Sequence, residues 1–267
     1  MGSGIAYVFA LHEYRVEIVD SSPAGRDRCR ATIERVTHRA VEQGRVVAPE
    51  AEELGARVRI CGSLQDVDGA PELLIEAVPE DLELKRRVLI EAEQCRPGLL
   101  ATNTSSISIN ELSTGLSSPE SFLGLHFFNP VWSNPLLEIV TGDATAESAV
   151  QAAQSIAVAI SKEVVLVRDS PGFASSRLGV ALGLEAIRMV EEGVATPEDI
   201  DRAMEIGYRH PMGPLRLTDL VGLDVRLGIA TNLERAFGAR FTPPQILIDK
   251  VNRGELGKKS GRGFFNW

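Results

Sequence analysis

The sequence lacks several features that would place a protein in a specialised class. Its three cysteines, Cys29, Cys61 and Cys95, have neither paired nor metal-ligand spacing, so we expect reduced, buried thiols and no metal site. No apolar run reaches the length of a membrane span, and no stretch resembles a signal peptide. We therefore expect a cytoplasmic protein without a membrane partner.

Positive charge is also in deficit. The chain has 28 Lys and Arg residues against 37 Asp and Glu residues, and its pI near 5.1 argues against a nucleic-acid partner. A local basic patch that binds a polyanionic ligand remains compatible with this balance. The hydrophobic content of 44% is typical of a globular protein, and 267 residues suffice for two domains.

The first part of the chain alternates between strand and helix patterns. Short apolar runs predict strands, whereas apolar residues at every third or fourth position predict helices. One helix begins near Ile5, and Thr145 is the expected N-cap of another. This alternation predicts an α/β fold with a doubly wound, mostly parallel sheet and helices on both faces. The predicted strands are 16–19, 58–61, 73–78, 99–102, 122–126, 136–140 and 164–167, and further helices are predicted at 26–43 and 80–95.

Only helical patterns follow residue 168. The segment 173–192 is apolar on most sides, as expected of a central buried helix. Thr196 is a typical N-cap for a helix that ends at Gly207, and Thr242 is expected to open the last helix. We therefore predict a sheet-containing domain over 1–168 and an all-helical domain over 169–267.

Residues 124–141 carry the best candidate for chemistry. Two apolar runs flank a connection rich in Pro, Asn and Ser, which predicts strand, loop and strand. His126 ends the first run and Glu138 lies in the second. A carboxylate opposite an imidazole fixes its tautomer and raises its basicity, as proton transfer requires. The alternative is a core histidine and a surface carboxylate, and spacing alone favours that alternative.

Several stretches, in this order, resemble the 3-hydroxyacyl-CoA dehydrogenase family. The sequence GLHFFNPV at 124–131, followed by LLEIV, is similar to the catalytic segment of that family. The resemblance covers nearly the whole chain. It implies a Rossmann-type domain with NAD as cofactor, an acyl-CoA substrate, and a homodimer formed through the helical domain. Other matching stretches are MGSGIA at the start, EAVPEDLELK at 76–85, ATNTSSISI at 101–109, DSPGF at 169–173, HPMGPLRLTDLVGLD at 210–224 and LGKKSGRGFFNW at the end.

The resemblance also implies roles for individual residues. The implied reaction is the NAD-dependent oxidation of (S)-3-hydroxyacyl-CoA to 3-oxoacyl-CoA, or the reverse, as in fatty-acid β-oxidation. In it His126 is the acid/base, Glu138 orients it, and Ser105 hydrogen-bonds the reacting oxygen. Asn129 and Ser176 join Ser105 as substrate-binding residues. The implied cofactor-binding residues are Gly2, Asp20, Glu80, Lys85, Asn103, Ser105, Asn129 and Lys259.

Most of these residues also have an ordinary structural interpretation. The quartet 103–106 has the composition of a polar turn, and Glu80 with Lys85 could form an exposed ion pair on a helix. Lys259 could belong to a basic C-terminal turn. Ser176 stands where the family usually has asparagine, and residues 132–135 also depart from the family's pattern, so substrate preference does not transfer directly.

The start of the chain departs from the family as well. In a dinucleotide-binding unit a strand precedes a Gly-x-Gly-x-x-Gly turn, and an acidic residue follows some 20 positions later. Gly2 matches the third glycine, and Asp20 matches the acidic residue. An aspartate at this position favours NAD over NADP. The strand and the first two glycines have no counterpart in the sequence. We expect a start site placed too late, a sheet without its first strand and weak NAD binding. Restoring an upstream strand and turn is then expected to raise melting temperature and affinity.

Two alternative functions stay open on this evidence. One keeps the fold but acts on a hydroxy acid or polyol without CoA, as related carnitine and gulonate dehydrogenases do. The other is a non-catalytic protein that uses the helical domain for assembly. Titration with NADH, and turnover of acetoacetyl-CoA against free hydroxy acids, distinguish the three possibilities.

Overall fold

The computed structural model describes all 267 residues and divides them into two compact units. The first unit is Met1–Asp169 and the second is Ser170–Trp267. Each unit has its own hydrophobic core. None of the helices combines the length and the apolar character that a bilayer span requires.

The first unit contains two sheets. Four of the five strand pairings are parallel, and the exception is the pairing between β5 and β6. The mostly parallel sheet predicted from the alternating pattern is therefore confirmed. The two-stranded sheet consists of β1 (Val16–Val19) and β2 (Val58–Cys61), and the other has the order β3 (Leu73–Glu76), β4 (Leu99–Thr102), β5 (Phe122–Phe127), β6 (Leu136–Thr141) and β7 (Glu163–Arg168).

The division between the sheets falls between β1 and β3. Each of these two strands pairs with one neighbour only. In the doubly wound order the first strand lies between the second and the fourth. The sheet is thus divided at the position of the strand that has no counterpart in the sequence.

Six helices accompany these strands. Ser22 begins α2 by accepting a hydrogen bond from the N–H of Gly25, and Asp81 begins α4 by accepting one from Leu84. Nearly all of α1 is buried, because it lies in the main core of this unit. The six are α1 (Gly2–Leu11), α2 (Pro23–Glu42), α3 (Ala48–Ala56), α4 (Leu82–Glu93), α5 (Ile109–Ser113) and α6 (Glu147–Ala159).

The second unit is all-helical, as predicted. Thr196 caps α8 as expected, accepting a hydrogen bond from the N–H of Asp199. The buried Asp219 accepts hydrogen bonds from Phe264, Phe265 and Trp267, and so fastens the C-terminal segment. The helices are α7 (Ser175–Glu191), α8 (Pro197–Gly207), α9 (Pro214–Val221), α10 (Leu223–Phe237) and α11 (Gln245–Asn252).

Two predicted helix caps are wrong. The helix expected to begin at Thr145 has Ala146 as its N-cap, because the Thr145 hydroxyl donates instead to the carbonyl of Phe122. The last helix has Pro244 as its N-cap, because the Thr242 hydroxyl bonds to Glu234. In both cases a tertiary partner competes successfully for the hydroxyl.

Other local predictions need correction. The helices α3, α5 and α9 were not predicted, since five to nine residues give little periodicity. The long helix α7 is buried on one side only, and Leu178 on its other side is 71% exposed. All three cysteines are free thiols as expected, but Cys61 alone is fully buried.

Candidate active site

His126 and Glu138 form a buried pair on neighbouring strands. They are direct partners in the antiparallel register of β5 and β6, so their side chains project on the same face of the sheet. Nδ1 of His126 lies 2.7 Å from Oε2 of Glu138, and the two residues are 6% and 1% exposed. The alternative that made Glu138 a surface charge is wrong. The strand, loop and strand prediction is confirmed.

The pair determines which ring nitrogen carries which role. A carboxylate oxygen can only accept, so Nδ1 of His126 donates to Glu138, and the neutral ring then has its lone pair on Nε2. The ring of Phe128 lies against the imidazole, with 4.3 Å between the ring centroids. The arrangement suits a histidine that exchanges a proton at Nε2 and is held in one orientation while it does so.

The quartet 103–106 follows β4 and is joined to the strand that carries His126. The amide oxygen Oδ1 of Asn103 accepts a hydrogen bond from the backbone N–H of Phe127 at 2.9 Å. Thr104 is fully buried and Ser105 is partly exposed. The carboxyl ends of β4 and its parallel neighbour β5 meet at one edge of the sheet, where doubly wound folds place ligands.

Glu80 anchors this quartet. Its Oε1 accepts hydrogen bonds from the Thr104 hydroxyl at 2.6 Å and from the backbone N–H groups of Ser105 and Ser106 at 2.9 and 3.0 Å. Burial raises the pKa of Glu80, but the Thr104 hydrogen bond and the charge of Lys85 oppose this effect, and the net pKa lies below its ordinary value. Glu80 is therefore a charged acceptor that shapes the loop around Ser105.

Lys85 is 1% exposed, so the interpretation of Glu80 and Lys85 as an exposed ion pair is wrong. Its ammonium lies 2.9 Å from Oε1 of Glu76 and also donates to the carbonyl of Val78. Glu76 in turn accepts from the Thr102 hydroxyl at 2.7 Å. Glu76 and Thr102 were not singled out from the sequence, because a single carboxylate or hydroxyl in an apolar strand gives no local signal of its partner.

The N-terminus of α1 and the end of β1 carry the two residues, Gly2 and Asp20, that the family resemblance assigns to the dinucleotide. Met1 makes no side-chain cap hydrogen bond to α1, and the N–H groups at a helix N-terminus can bind a pyrophosphate. Asp20 directly follows β1, and its carboxylate suits a ribose diol. A Cβ on Gly25 would lie 2.2 Å from Oδ2 of Asp20, so the α2 terminus approaches this carboxylate as only a glycine allows.

Asn129, Ser176 and Lys259 lie in three different settings. Asn129 is exposed in the loop that follows β5. Ser176 is a partly buried residue of the first turn of α7. Lys259 lies in the C-terminal segment of the second unit, where its ammonium contacts the Asp224 carboxylate at 2.5 Å. Burial raises the pKa of Asp224, but the hydrogen bond and charge of Lys259, together with backbone hydrogen bonds, outweigh this effect, and the net pKa is lowered. The roles of all three residues remain predictions.

Comparison with known proteins identifies both units. Residues 1–170 match the family model described as the NAD binding domain of 3-hydroxyacyl-CoA dehydrogenase, and residues 172–267 match the model of its C-terminal domain. The chain is 40% identical to a 3-hydroxybutyryl-CoA dehydrogenase of Mycobacterium tuberculosis, over all of this chain and 95% of the relative.

Solved structures agree with this assignment. The crystal structure of M. tuberculosis FadB2 superposes with a TM-score of 0.96 at 40% identity, and covers all of this chain and 95% of FadB2. The (S)-3-hydroxybutyryl-CoA dehydrogenase PaaH1 from Ralstonia eutropha gives a TM-score of 0.95 at 33% identity, with the same coverage of both chains. The chain therefore belongs to the 3-hydroxyacyl-CoA dehydrogenase family of oxidoreductases, and its cofactor is NAD.

Proposed function

We propose that this protein interconverts (S)-3-hydroxyacyl-CoA and 3-oxoacyl-CoA with NAD, using His126 as the acid/base. The observation that carries the proposal is the buried contact of 2.7 Å between Nδ1 of His126 and Oε2 of Glu138. A histidine held in this way on a strand of an NAD-binding domain is suited to take a proton from a secondary alcohol or return one to a ketone.

Oxidation of the alcohol requires that its hydroxyl proton leave as the hydride departs. His126 accepts this proton at Nε2, since Nδ1 is directed at Glu138. The ring is then an imidazolium, and the Glu138 carboxylate stabilises its charge while it keeps the ring in place. In the reverse direction the imidazolium donates the same proton to the carbonyl oxygen, so the pair serves both directions.

Ser105 holds the reacting oxygen in this proposal. Its hydroxyl donates a hydrogen bond to the substrate oxygen that exchanges its proton with His126. The Glu80 carboxylate fixes the backbone of Ser105, and Asn103 ties the same loop to β5 next to His126. Ser105 and His126, which act on one oxygen, thus lie near the ends of the adjacent strands β4 and β5. The hydrogen bond from Phe127 to Asn103 joins these two strand ends, which favours correct orientation of the two groups.

NAD supplies the nicotinamide carbon that accepts or donates the hydride. The residues that would hold it are the N-terminal turn of α1 at Gly2 and the carboxylate of Asp20, which favours NAD over NADP because it repels a 2′-phosphate. The polar groups of the Ser105 loop would line the nicotinamide end of the site. The further residues assigned to the cofactor are Glu80, Lys85, Asn103, Ser105, Asn129 and Lys259.

The substrate and the assembly complete the proposal. Ser105 and Asn129 contact the acyl-CoA, and for Ser176 the family resemblance implies a substrate-binding role, with a hydroxyl where the family usually has an amide. The protein is a cytoplasmic homodimer formed through its helical unit, whose α7 has Leu178 exposed on its surface. An isologous contact of that kind is the commonest form of soluble dimer.

The decisive experiment compares substrates that share a reacting group. NADH oxidation is followed by absorbance with acetoacetyl-CoA and with free acetoacetate, and in the reverse direction NAD+ reduction is followed with a free hydroxy acid. We expect turnover of the thioester to exceed turnover of the free acid by about tenfold or more, because binding of the CoA moiety helps to position the reacting group. Turnover of the free acid alone would contradict the acyl-CoA assignment. Failure of NADH to bind would contradict the catalytic role altogether.

A further inference from the structure

A buried lysine outside the proposed catalytic set holds the connection between the two catalytic strands. Residues 128–135, here called the β5–β6 loop, join His126 on β5 to Glu138 on β6. Lys162 precedes β7, which pairs with β6. Its ammonium donates to the carbonyls of Val131 at 2.5 Å and Asn134 at 2.6 Å, and the residue is only 8% exposed.

The choice of partners is unusual for a buried lysine. Both are backbone carbonyls of the same loop rather than a carboxylate. Burying an ammonium is costly unless donors and charge are satisfied, and burial lowers the pKa of Lys162 as expected for such a position. A lysine carries three N–H donors on a single atom, so it can bind carbonyls of two loop residues at once.

The other side of the loop packs against α1. A Cβ on Gly4 would lie 3.1 Å from a methyl group of Val131, so α1 lies close to the loop. The Val131 side chain is 1% exposed, and the ring of Trp132 meets that of Tyr7 with a centroid distance of 6.4 Å. Lys162 therefore binds the backbone of the loop through hydrogen bonds, while the apolar side of the loop packs against α1.

The same loop begins and ends at the catalytic pair. Phe128 at its start lies against the His126 ring, and Asn129 follows. At its end the Pro135 carbonyl accepts from the N–H of Glu163, directly after Lys162. The loop is thus joined by contacts at both ends to the region of His126 and to β6, the strand that carries Glu138.

We infer that Lys162 is a positioning residue for catalysis, which acts by holding the β5–β6 loop and through it His126 and Asn129. The effect on catalysis rests on the proposed function, but the hold of Lys162 on the β5–β6 loop does not. Displacements of about 1 Å in a reacting geometry cost up to about 10²-fold in rate, so the expected kinetic effect is large compared with the loss of two hydrogen bonds.

Trp132 makes the loop observable without any substrate. The chain has two tryptophans, so Trp267→Phe leaves Trp132 as the only one. In this background Lys162→Met, which keeps the length and removes the donors, should raise acrylamide quenching of Trp132. Ser133→Ala is the matched control, because Ser133 is exposed in the same loop and its hydroxyl makes only a 3.4 Å contact to Pro130. It should quench as the background protein does.

The kinetic arm uses acetoacetyl-CoA and NADH. We expect Lys162→Met to lower kcat by about tenfold or more with a smaller change in KM for acetoacetyl-CoA, since loop displacement acts on the transition-state geometry. Lys162→Arg keeps the charge and donors and should recover part of the lost kcat. A merely structural lysine would lower the melting temperature but leave the kcat of the folded enzyme unchanged.

The two arms separate the possible failures. Unchanged quenching of Trp132 in Lys162→Met overturns the inference, whatever the activity. Raised quenching with unchanged kcat overturns the positioning role. If the wild-type protein turns over no acyl-CoA, the proposed function fails, and the quenching arm still decides whether Lys162 holds the loop. If Lys162→Met does not fold, Lys162→Gln replaces it in both arms, with smaller changes of the same sign expected and the same outcomes decisive.

Discussion

A single carboxylate oxygen, Oε1 of Glu80, contacts both the backbone N–H of Ser105 at 2.9 Å and its hydroxyl at 3.4 Å. The same oxygen accepts from Thr104 and Ser106. Glu80 therefore shapes the loop that presents Ser105, in addition to the contact with NAD that the family resemblance implies. This dual position makes Glu80 the first residue to test.

We predict that Glu80→Gln lowers activity more than it lowers stability. An amide oxygen can still accept hydrogen bonds, but charge-assisted hydrogen bonds are roughly twice as strong as neutral ones. The loop around Ser105 is therefore held less firmly in the variant. We expect kcat/KM to fall by about tenfold, which corresponds to about 1.4 kcal/mol of transition-state stabilisation. Glu83→Gln, which changes an exposed carboxylate of α4, is the control. Equal activity in the two variants would remove Glu80 from the site.

The pH dependence of stability provides a second test of Glu80. Its pKa in the folded protein is lowered, so its ionised form stabilises the fold above the ordinary glutamate pKa of about 4.3. This contribution is lost as the pH falls through the lower pKa of the folded state. The difference in melting temperature between wild type and Glu80→Gln should therefore be largest near neutral pH and shrink below about pH 4. A difference that grows in acid would contradict the direction of this shift.

His126→Gln should abolish turnover and leave NADH affinity nearly unchanged. Positioned proton transfer typically contributes ~10²–10⁴-fold in rate, and the imidazole is assigned to the substrate rather than the nucleotide. Steady-state kinetics and NADH titration measure the two effects. His38→Gln is a suitable control, since His38 is on the surface of α2. Retention of a third of wild-type turnover would exclude His126 from the mechanism.

Glu138→Gln should be milder than His126→Gln. The amide oxygen can still accept from Nδ1 and orient the ring, but it stabilises the imidazolium less. The measurement is kcat for both variants under the same conditions. A larger loss in Glu138→Gln than in His126→Gln would show that the two roles are assigned wrongly.

Ser176→Asn should be tolerated and should change substrate KM. The first turn of α7 accommodates a longer polar side chain, because Ser176 is only partly buried there. An amide adds donors and reach, so the binding of acyl-CoA thioesters should change while folding does not. Kinetics with several acyl chain lengths, together with a melting curve, test this. Identical KM values across the series would assign Ser176 to packing alone.

Arg226→Met should stabilise the helical unit. The Arg226 guanidinium is buried, its Nε has no partner, and burial lowers its pKa to about 10. Charge without a compensating acid is unfavourable in such a place, and methionine fills a similar volume. We expect the melting temperature to rise by roughly 2–4 °C for each kcal/mol gained. A lower melting temperature would show that the guanidinium has a stabilising contact that outweighs its burial.

Most of the strands, the longer helices and the family could be predicted from the sequence alone. Strands 16–19, 58–61 and 99–102 have the bounds that apolar patterning indicates, because apolar runs depend on neighbouring residues. Thr196 caps its helix for the same reason, since its partner is three residues away. Ordered motifs along the chain were sufficient to indicate a 3-hydroxyacyl-CoA dehydrogenase, and the family models confirm this membership.

Which distant groups meet could be read only from the folded chain. Spacing alone favoured a surface position for Glu138, and the antiparallel register of β5 and β6 places it opposite His126 instead. Lys85 was compatible with an exposed pair until strand packing brought Glu76 to its ammonium. Lys162 gave no signal, because its partners are backbone carbonyls that every residue possesses. The energy of such contacts depends on burial and register, which no local pattern encodes.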